Sequence, residues 1–364
     1  MPVTLVSGFA GSGKTTLINQ LKASLRSRRL AVLVDDGEKD LFAEIEQALN
    51  IEGADLIVIE CASNLEPYFV AEHLLSGDEQ TPPPAGLKID TAVTVVDAMS
   101  FMSLVLSSAK LTAAGLAFDS EDERAVPELL LEQIEFSDVI LINKIEQVEE
   151  KALQVLEALL ERLNPHARLI RVPKAQLRSR DVVETGIFDF DETDDGAGWL
   201  AELRGEFDGQ ESRHGVTSFT FDERTPFHPE RFAELLQDFR IEGLVRVKGS
   251  VWVASRHNEI GVWSLAGGSS VLTYGGAWFA ATPARQWPPD ERERQEIMEE
   301  WVPPFGDRRQ EIAFLGIQLD EHEIRRRLRR CLLTPDEMKN GPDSWHLLPD
   351  PLPDWHLADG EDDY

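Results

Sequence analysis

The stretch GFAGSGKTTL, from Gly8 to Leu17, decides the fold and raises the question of what the protein binds. It matches the spacing G-x-x-x-x-G-K-[ST], whose fixed positions are Gly8, Gly13, Lys14 and Thr15. The apolar, β-branched run VTLVS precedes it, and TLINQLKASL follows it with apolar residues at helical spacing. A strand, a glycine-rich turn and a helix in this order predict a phosphate-binding loop.

The loop also predicts the chemistry of its ligand. Glycines let the backbone turn tightly, so that successive N–H groups point at a phosphate, and the start of the following helix adds a partial positive charge. Lys14 is placed to bridge the β- and γ-phosphates, and the Thr15 hydroxyl is placed to ligate Mg²⁺. The predicted nucleotide contacts in the loop are Gly8, Gly11, Ser12, Gly13, Lys14, Thr15 and Thr16. We therefore expect the loop to bind a nucleoside triphosphate.

Near-continuous apolar runs alternate with helical patterns through the first half of the chain. The runs are LAVLVD, ADLIVIE, DTAVTVVD, SDVILIN and ARLIRV. Such runs are typical of parallel strands covered on both faces, and DLFAEIEQAL and EQVEEKALQVLEALLERL between them have helical spacing. This βαβ succession predicts an α/β fold, a doubly wound and mostly parallel sheet, over residues 1–183.

The composition changes after residue 183. Residues 184–215 are acidic and glycine-rich, which predicts a linker. The alternating run VTSFTFD, the helical HPERFAELLQDF and several later β-like runs predict a smaller α+β domain over residues 216–338. Residues 339–364 contain many prolines and acids, and we expect them to form an extended acidic tail.

The overall composition restricts the partners and the compartment. The chain of 364 residues has 66 acidic and 36 basic residues, a formal net charge of −30, which opposes binding to nucleic acid or to an anionic membrane surface. No apolar stretch is long enough to span a bilayer, and no basic-then-apolar leader follows Met1. Two cysteines cannot form a disulfide framework. We therefore expect a cytoplasmic protein whose partners include no nucleic acid and no membrane.

The stretch SDVILINKIEQV indicates which base the nucleotide carries. At the end of its predicted strand, Asn143, Lys144 and Glu146 resemble the N-K-x-D guanine-reading motif of GTPases. A carboxylate there accepts hydrogen bonds from guanine that adenine cannot supply, and a hydrogen bond to a charged group contributes about 1.5–3 kcal/mol. Glu146 is one methylene longer than the usual aspartate. Two outcomes stay open, namely guanine selectivity with altered geometry or relaxed selectivity.

Several stretches resemble the CobW-type P-loop GTPase family, which includes zinc and cobalt metallochaperones and metalloenzyme activators. VSGFAGSGKTTLINQL is similar to the family's opening motif, and VIECASNLEP is similar to its E-[TSC]-[TS]-G-x-x-x-P segment. Six further stretches resemble later blocks of the family and follow the same order, namely VTVVDAMSF, EQIEFSDVILINKIE, PFHPERF, VRVKGSVWVA, GDRRQEIAFLG and LRRCLLTPDEM. The resemblance covers nearly the whole chain. It implies a P-loop GTPase domain followed by a smaller C-terminal α+β domain.

The resemblance also implies a set of catalytic and magnesium-binding residues. Glu60 is expected near Mg²⁺ and the γ-phosphate, with Thr15 as the other Mg²⁺ residue. Asp36 and Glu38, in the short stretch DDGEK, are the closest counterparts of the family's N-E-x-G-E segment. The expected catalytic residues are therefore Lys14, Asp36, Glu38 and Glu60, where the carboxylates help to place Mg²⁺ or the attacking water.

The chain departs from the family at its metal-binding motif. Members that carry metal usually have C-x-C-C between the second and third strands, and this sequence has no cysteine there. Asn64 also replaces the glycine of the turn that senses the γ-phosphate. Cys61, beside Glu60, has two interpretations, either a lone thiolate ligand or a small buried residue. We therefore expect GTP with Mg²⁺ to bind readily and Zn²⁺ or Co²⁺ to bind weakly.

Three functional hypotheses follow. The resemblance implies a slow GTPase, converting GTP to GDP and phosphate, that couples its nucleotide state to metal-centre assembly or to metal delivery to a client metalloprotein. The missing cysteines favour a nucleotide-gated interaction module that acts on a client without carrying metal. The third hypothesis is a P-loop kinase for a small molecule. Kinases usually lack N-K-x-[DE] and have an arginine-bearing lid, and no lid segment is evident in this sequence.

Overall fold

The two halves of the chain build two separate sheets. The computed structural model describes residues 1–37, 40–51, 53–77, 82–120, 122–173, 176–190, 197–205, 207 and 213–355. Within this part, residues 1–201 form the first unit, together with short later pieces that end at Val216 and at Gly268. The second unit contains residues 217–265 and the chain from Ser269 onward.

The first unit contains a six-stranded parallel sheet. Its strands are β1 (Pro2–Ser7), β2 (Leu30–Asp35), β3 (Leu56–Cys61), β4 (Lys88–Asp97), β5 (Val139–Asn143) and β6 (Arg168–Val172), in the order β2-β3-β1-β4-β5-β6. The connections after β1 and β4 leave in opposite directions, so the carboxyl ends of these two neighbours form a switch point. Open α/β sheets bind their ligands at such a point. The expected α/β fold class is confirmed.

Helices cover both faces of this parallel sheet. They are α1 (Lys14–Ser24), α2 (Leu41–Asn50), α3 (Pro67–Ser76), α4 (Phe101–Val105), α5 (Leu111–Ala114), α6 (Val126–Glu135) and α7 (Glu150–Leu163). Along β3, Ile57 and Ile59 pack with residues of α2 and α3, whereas Leu56 and Val58 pack with residues of α1. Both faces of the strand are thus buried, which explains why its sequence is continuously apolar.

The second unit contains a five-stranded sheet in the order β10-β9-β8-β11-β7. The strands are β7 (Val216–Glu223), β8 (Leu244–Val251), β9 (Glu259–Ala266), β10 (Ser269–Ala277) and β11 (Gln310–Ile317), and β8 pairs with β11 in antiparallel fashion. Its helices are α9 (Pro229–Gln237), α10 (Glu291–Glu299), α11 (Glu321–Cys331), α12 (Pro335–Lys339) and α13 (Pro342–Trp345), and α8 (Gly198–Leu203) precedes them. Phe232, Trp263 and Phe314 form part of its fully buried core.

The segment predicted to be a linker is packed at its start. The backbone N–H groups of Thr185 and Gly186 donate to the carboxylate of Asp90. Phe188 and Phe190 both pack against the ring of Phe136, and Phe190 also packs against Tyr68 of α3. The linker prediction is therefore wrong for residues 184–190, because the packing of two aromatic rings holds this segment in place although the residues around them are acidic. Residues 191–196, 206 and 208–212 lie outside the described residues.

The predicted extended tail is also wrong as far as residue 355. Trp345 and Trp355 are each only 1% exposed. The Arg256 guanidinium pairs with Asp350 at 2.8 Å and lies 4.2 Å from the ring centre of Trp355. Tryptophan burial thus holds this proline-rich, acidic segment in place. Of the helices in the described part of the chain, none combines the length and hydrophobicity that crossing a membrane requires.

Candidate nucleotide-binding site

The loop between β1 and α1 has the backbone of a phosphate-binding loop. Gly8 and Gly13 have φ angles of 136° and 105°, values that side-chain-bearing residues rarely adopt. A Cβ at Gly8 would lie 2.5 Å from the carbonyl oxygen of Val95, and a Cβ at Gly13 would collide with the side-chain amide of Asn143. The loop therefore requires glycine at both positions, for conformation and for space.

Lys14 begins α1, and its side chain turns back onto the loop. Its Nζ donates hydrogen bonds of 2.6 Å to the carbonyl oxygen of Gly8 and of 2.8 Å to Oγ of Ser63. Burial lowers the pKa of Lys14, and the negative charge of Glu60 acts in the opposite direction. The ammonium group therefore lies between the phosphate loop and the segment that follows β3.

The oxygen donors predicted for magnesium lie together. The Thr15 hydroxyl donates a hydrogen bond of 2.7 Å to Oε1 of Glu60, which stands in register with Val6 of the neighbouring strand. A hydroxyl and a carboxylate are the hard oxygen ligands that Mg²⁺ accepts. In addition, Oγ of Ser12 is buried and has no hydrogen-bond partner in the structure. Because buried hydroxyls are normally satisfied, this orphaned group fits a loop that binds phosphate oxygens.

The segment predicted to read guanine is held directly against the phosphate loop. Nδ2 of Asn143 donates a hydrogen bond of 2.9 Å to the carbonyl oxygen of Ser12. Nζ of Lys144 donates to the carbonyl oxygen of Gly11 at 2.6 Å and to Oδ2 of Asp97 at 2.7 Å. Glu146 follows in a short 3₁₀ turn and is exposed. The structure thus brings this segment and the loop together.

The remaining predicted residues lie around the same edge of the sheet. Thr16 is exposed in the first turn of α1. Asp36 follows β2 and is half-buried, and the last residue of β2, Asp35, is in register with Cys61. Glu38, which the sequence assigns to the same stretch, lies outside the described residues.

Cys61 is packed in the core of the first unit. Its side chain is fully buried within an apolar cluster, and burial, reinforced by the charge of Asp35, raises the pKa of its thiol to about 12. Metal ligation needs the thiolate. In the part of the chain that the structure describes, no group of three or more His, Cys, Asp or Glu side chains is placed to hold a metal ion. The geometry favours a small buried residue over a lone thiolate ligand.

Two side chains that contact the lysines of the site, Ser63 and Asp97, were missed by the sequence reasoning. Asp97 is the last residue of β4, and Ser63 follows β3 by two residues. Their positions were a usable signal, because polar residues at the carboxyl ends of parallel strands meet at the ligand-binding edge.

The fold and the site define a P-loop nucleotide-binding protein with a doubly wound α/β domain. Two family models match the chain: the CobW/HypB/UreG nucleotide-binding domain over residues 2–40 and 37–171, and the cobalamin synthesis protein CobW C-terminal domain over residues 216–332. The chain belongs to the CobW family of P-loop GTPases, and the resemblance seen in its sequence is confirmed.

Individual relatives extend over most of the chain. The zinc-regulated GTPase metalloprotein activator 1 of Dictyostelium discoideum is 32% identical, covering 97% of this chain and 84% of that protein. A zinc chaperone of Mycobacterium tuberculosis is 29% identical, covering 87% of this chain and 76% of that protein. The solved Zn(II)-bound YjiA GTPase from E. coli aligns over 92% of this chain and 99% of its own at 17% identity. The TM-score of that alignment is 0.38.

Proposed function

We propose that the protein binds GTP with Mg²⁺, hydrolyses it slowly to GDP and phosphate, and uses its nucleotide state to control metal-centre assembly or metal delivery in a client metalloprotein. The observation that carries the proposal is the convergence of Lys14, the Thr15–Glu60 pair and Asn143 on one glycine loop. The names of the two relatives, a metalloprotein activator and a zinc chaperone, support the client class.

The phosphate contacts in this proposal come from the loop and from Lys14. The N–H groups of residues 8–16 would face the phosphates, and Lys14 would exchange its contacts with Gly8 and Ser63 for phosphate oxygens. The hydroxyl of Ser12 would gain an acceptor. Thr15 and Glu60 would hold Mg²⁺, which when bound would neutralise charge on the β- and γ-phosphates.

The base would be read by the segment after β5. Asn143 is fixed by its bond to the loop, so the residues that follow it have a defined distance from the phosphates. Glu146 would accept hydrogen bonds from the guanine N1–H and N2–H₂ groups. Its exposed side chain is compatible with access to a base. GTP and GDP are therefore the expected small-molecule partners.

Hydrolysis would depend on the carboxylates near the γ-phosphate. Asp36, Glu38 and Glu60 would help to place the attacking water, and closure of residues 36–38 on the γ-phosphate would be the switch. Gly37 is exposed, and its backbone N–H donates a hydrogen bond of 3.0 Å to Oδ1 of Asp35. Hydrolysis would be slow if the attacking water is positioned only after this closure.

One observation favours a second candidate function, a nucleotide-gated module that acts on a client without carrying metal. Cys61 is fully buried, and the described residues contain no cluster of three or more metal-binding side chains. Zn²⁺ or Co²⁺ binding by the first unit would then be weak. Metal analysis of the purified protein with and without GTP separates the two functions, because only metal carriage requires stoichiometric, nucleotide-dependent metal.

Calorimetry of GTP, GDP and ATP with Mg²⁺ tests the nucleotide part of the proposal. Because Lys14 is buried, Lys14→Met is the suitable variant, since it keeps the aliphatic stem and removes the charge. We expect it to lose most of its affinity for GTP. Lys22→Met, at an exposed position of the same helix, is the matched control and should bind like the parent. GTP binding by Lys14→Met that equals the parent's would refute the site.

A further inference from the structure

The carboxylate of Asp97 is fixed by contacts on both of its oxygens. Oδ2 accepts from Nζ of Lys144 at 2.7 Å, and Oδ1 accepts from the backbone N–H of Met99 at 3.0 Å. The side chain is only 13% exposed. Asp97 also stands in register with Asn143 on the neighbouring strand β5. The last residue of β4 therefore lies beside the base-reading segment, with its charge directed at that segment's lysine.

Lys144 holds a backbone conformation that needs support. Its φ of 59° places it in the left-handed region, which is strained for a residue with a side chain. Its ammonium group bridges Asp97 and the carbonyl oxygen of Gly11, the latter at 2.6 Å. Hydrogen bonds from a charged donor to a carboxylate are among the strong ones. The carboxylate of Asp97 thus anchors the lysine whose other contact is the phosphate loop.

The contacts of Lys144 continue those of the preceding residue. Asn143 donates to the carbonyl oxygen of Ser12, and Lys144 donates to that of Gly11. Two consecutive residues, the last of β5 and the one after it, therefore donate hydrogen bonds to two consecutive carbonyl oxygens of the loop. A nucleotide that is bound through both its base and its phosphates requires a fixed distance between the two binding sites. The hydrogen bonds of Asn143 and Lys144 to the loop set that distance.

We propose that Asp97 is a positioning residue for base selection, which holds Lys144 on the phosphate loop and so fixes the distance from the loop to Glu146. The inference rests on the proposed function, because it presupposes that residues 143–146 read guanine. Asp97 acts through Lys144 and does not contact the base. Its loss therefore weakens discrimination between GTP and ATP, while contacts to the phosphates, which both nucleotides share, remain.

The test compares Asp97→Asn with the parent in nucleotide affinity and in steady-state hydrolysis. We expect the ratio of GTP to ATP affinity to fall about tenfold, as for the loss of a charged hydrogen-bond partner. KM for GTP should rise with kcat unchanged, since the carboxylates expected at the γ-phosphate are untouched. Asp55→Asn, which removes the 2.9 Å ion pair with Arg29 elsewhere in the first unit, is the control and should leave the ratio unchanged.

A double-mutant cycle separates positioning from a purely structural role. If Asp97 acts through Lys144, Lys144→Met should lower the ratio similarly, and Asp97→Asn should add little in the Lys144→Met background. Additive effects would overturn the inference, as would equal losses for GTP and ATP. Lys144→Met also serves as the test if Asp97→Asn does not fold. A parent protein without preference for GTP would refute the proposed function itself, whereas a preference that survives in Asp97→Asn would refute only the role of Asp97.

Discussion

The hydroxyl of Thr15 lies 2.7 Å from Oε1 of Glu60, which joins the first turn of α1 to the end of β3. The two residues are far apart in the sequence, and the parallel pairing of β1 with β3 brings them together. A hydroxyl held by a carboxylate is oriented, and an oriented ligand binds a metal ion more tightly than a freely rotating one. The predicted role of Thr15 and Glu60 in Mg²⁺ binding is therefore testable.

Glu60→Gln should weaken the binding of Mg²⁺ that accompanies GTP. The amide oxygen of glutamine can still accept from Thr15, so the geometry is kept while the charge is lost. We expect the Mg²⁺ concentration needed for half-maximal GTP binding to rise about tenfold or more, as for the loss of a supporting carboxylate. Magnesium titrations at fixed GTP measure this. Glu46→Gln, on the exposed side of α2, should behave like the parent; an unchanged titration in Glu60→Gln would remove Glu60 from the magnesium site.

Two substitutions at position 146 should differ in their effect on the preference for guanine. Glu146→Ala removes the acceptor for the guanine N–H groups, so the ratio of GTP to ATP affinity should fall by about tenfold. Glu146→Asp supplies the usual length of the motif and should keep or raise the ratio. Competition binding with both nucleotides gives the two ratios in one series. A ratio that stays constant across both variants would show that another residue reads the base.

Zinc should bind weakly to the first unit, and removal of Cys61 should not change its affinity. The thiol is fully buried in an apolar cluster, and the described residues bring no group of three metal-binding side chains together. A competition titration against a zinc chelator, with and without GTP, measures the affinity of the parent and of Cys61→Ala. Cys331→Ala, at the other buried free cysteine, is the control. Tight, GTP-dependent zinc uptake that only Cys61→Ala abolishes would contradict the prediction and restore metal carriage.

The sequence predicts those features of the site that depend on neighbours along the chain. The strand-turn-helix around Gly8 and Gly13 follows from local spacing, and the structure has the backbone that those glycines permit. The contact of Lys144 with Gly11 joins residues 133 positions apart, so periodicity carries no signal for it. Asp97 was missed although its place at the end of β4 was a signal for the ligand-binding edge, and its register with Asn143 of β5 is visible only in the structure.

The predictions that rested on composition are wrong for residues 184–190 and for the tail as far as residue 355. Acidic and proline-rich stretches predicted a linker over residues 184–215 and an extended tail, yet Phe188 and Trp355 are packed. A few large aromatic side chains bury enough apolar area to order a segment that is otherwise polar. Average composition gives an acidic residue and a tryptophan the same weight, although the tryptophan buries far more apolar area. The positions of the aromatic residues therefore predict the packed segments better than the composition does.

The stability of the first unit should depend on pH through Asp138. Burial, together with the charges of Asp90 and Asp189, raises the pKa of Asp138 to about 6. The hydrogen bond that the Ala92 N–H donates to this carboxylate partly opposes the rise. Because the folded-state pKa of Asp138 lies above its unfolded value, the stabilisation that the neutral carboxyl group gives the fold is fully present below pH 4. It is lost as the pH rises through 6, where the carboxylate becomes charged in the folded protein.

Asp138→Asn keeps an acceptor for Ala92 and removes the charge. With allowance for partial exposure, we expect it to raise the free energy of unfolding by about 1–2 kcal/mol at pH 7 and to match the parent near pH 4. Urea unfolding at both pH values measures the difference, with Glu46→Gln as the control. A variant less stable than the parent at pH 7 would show that the Asp138 carboxylate stabilises the fold in its charged form.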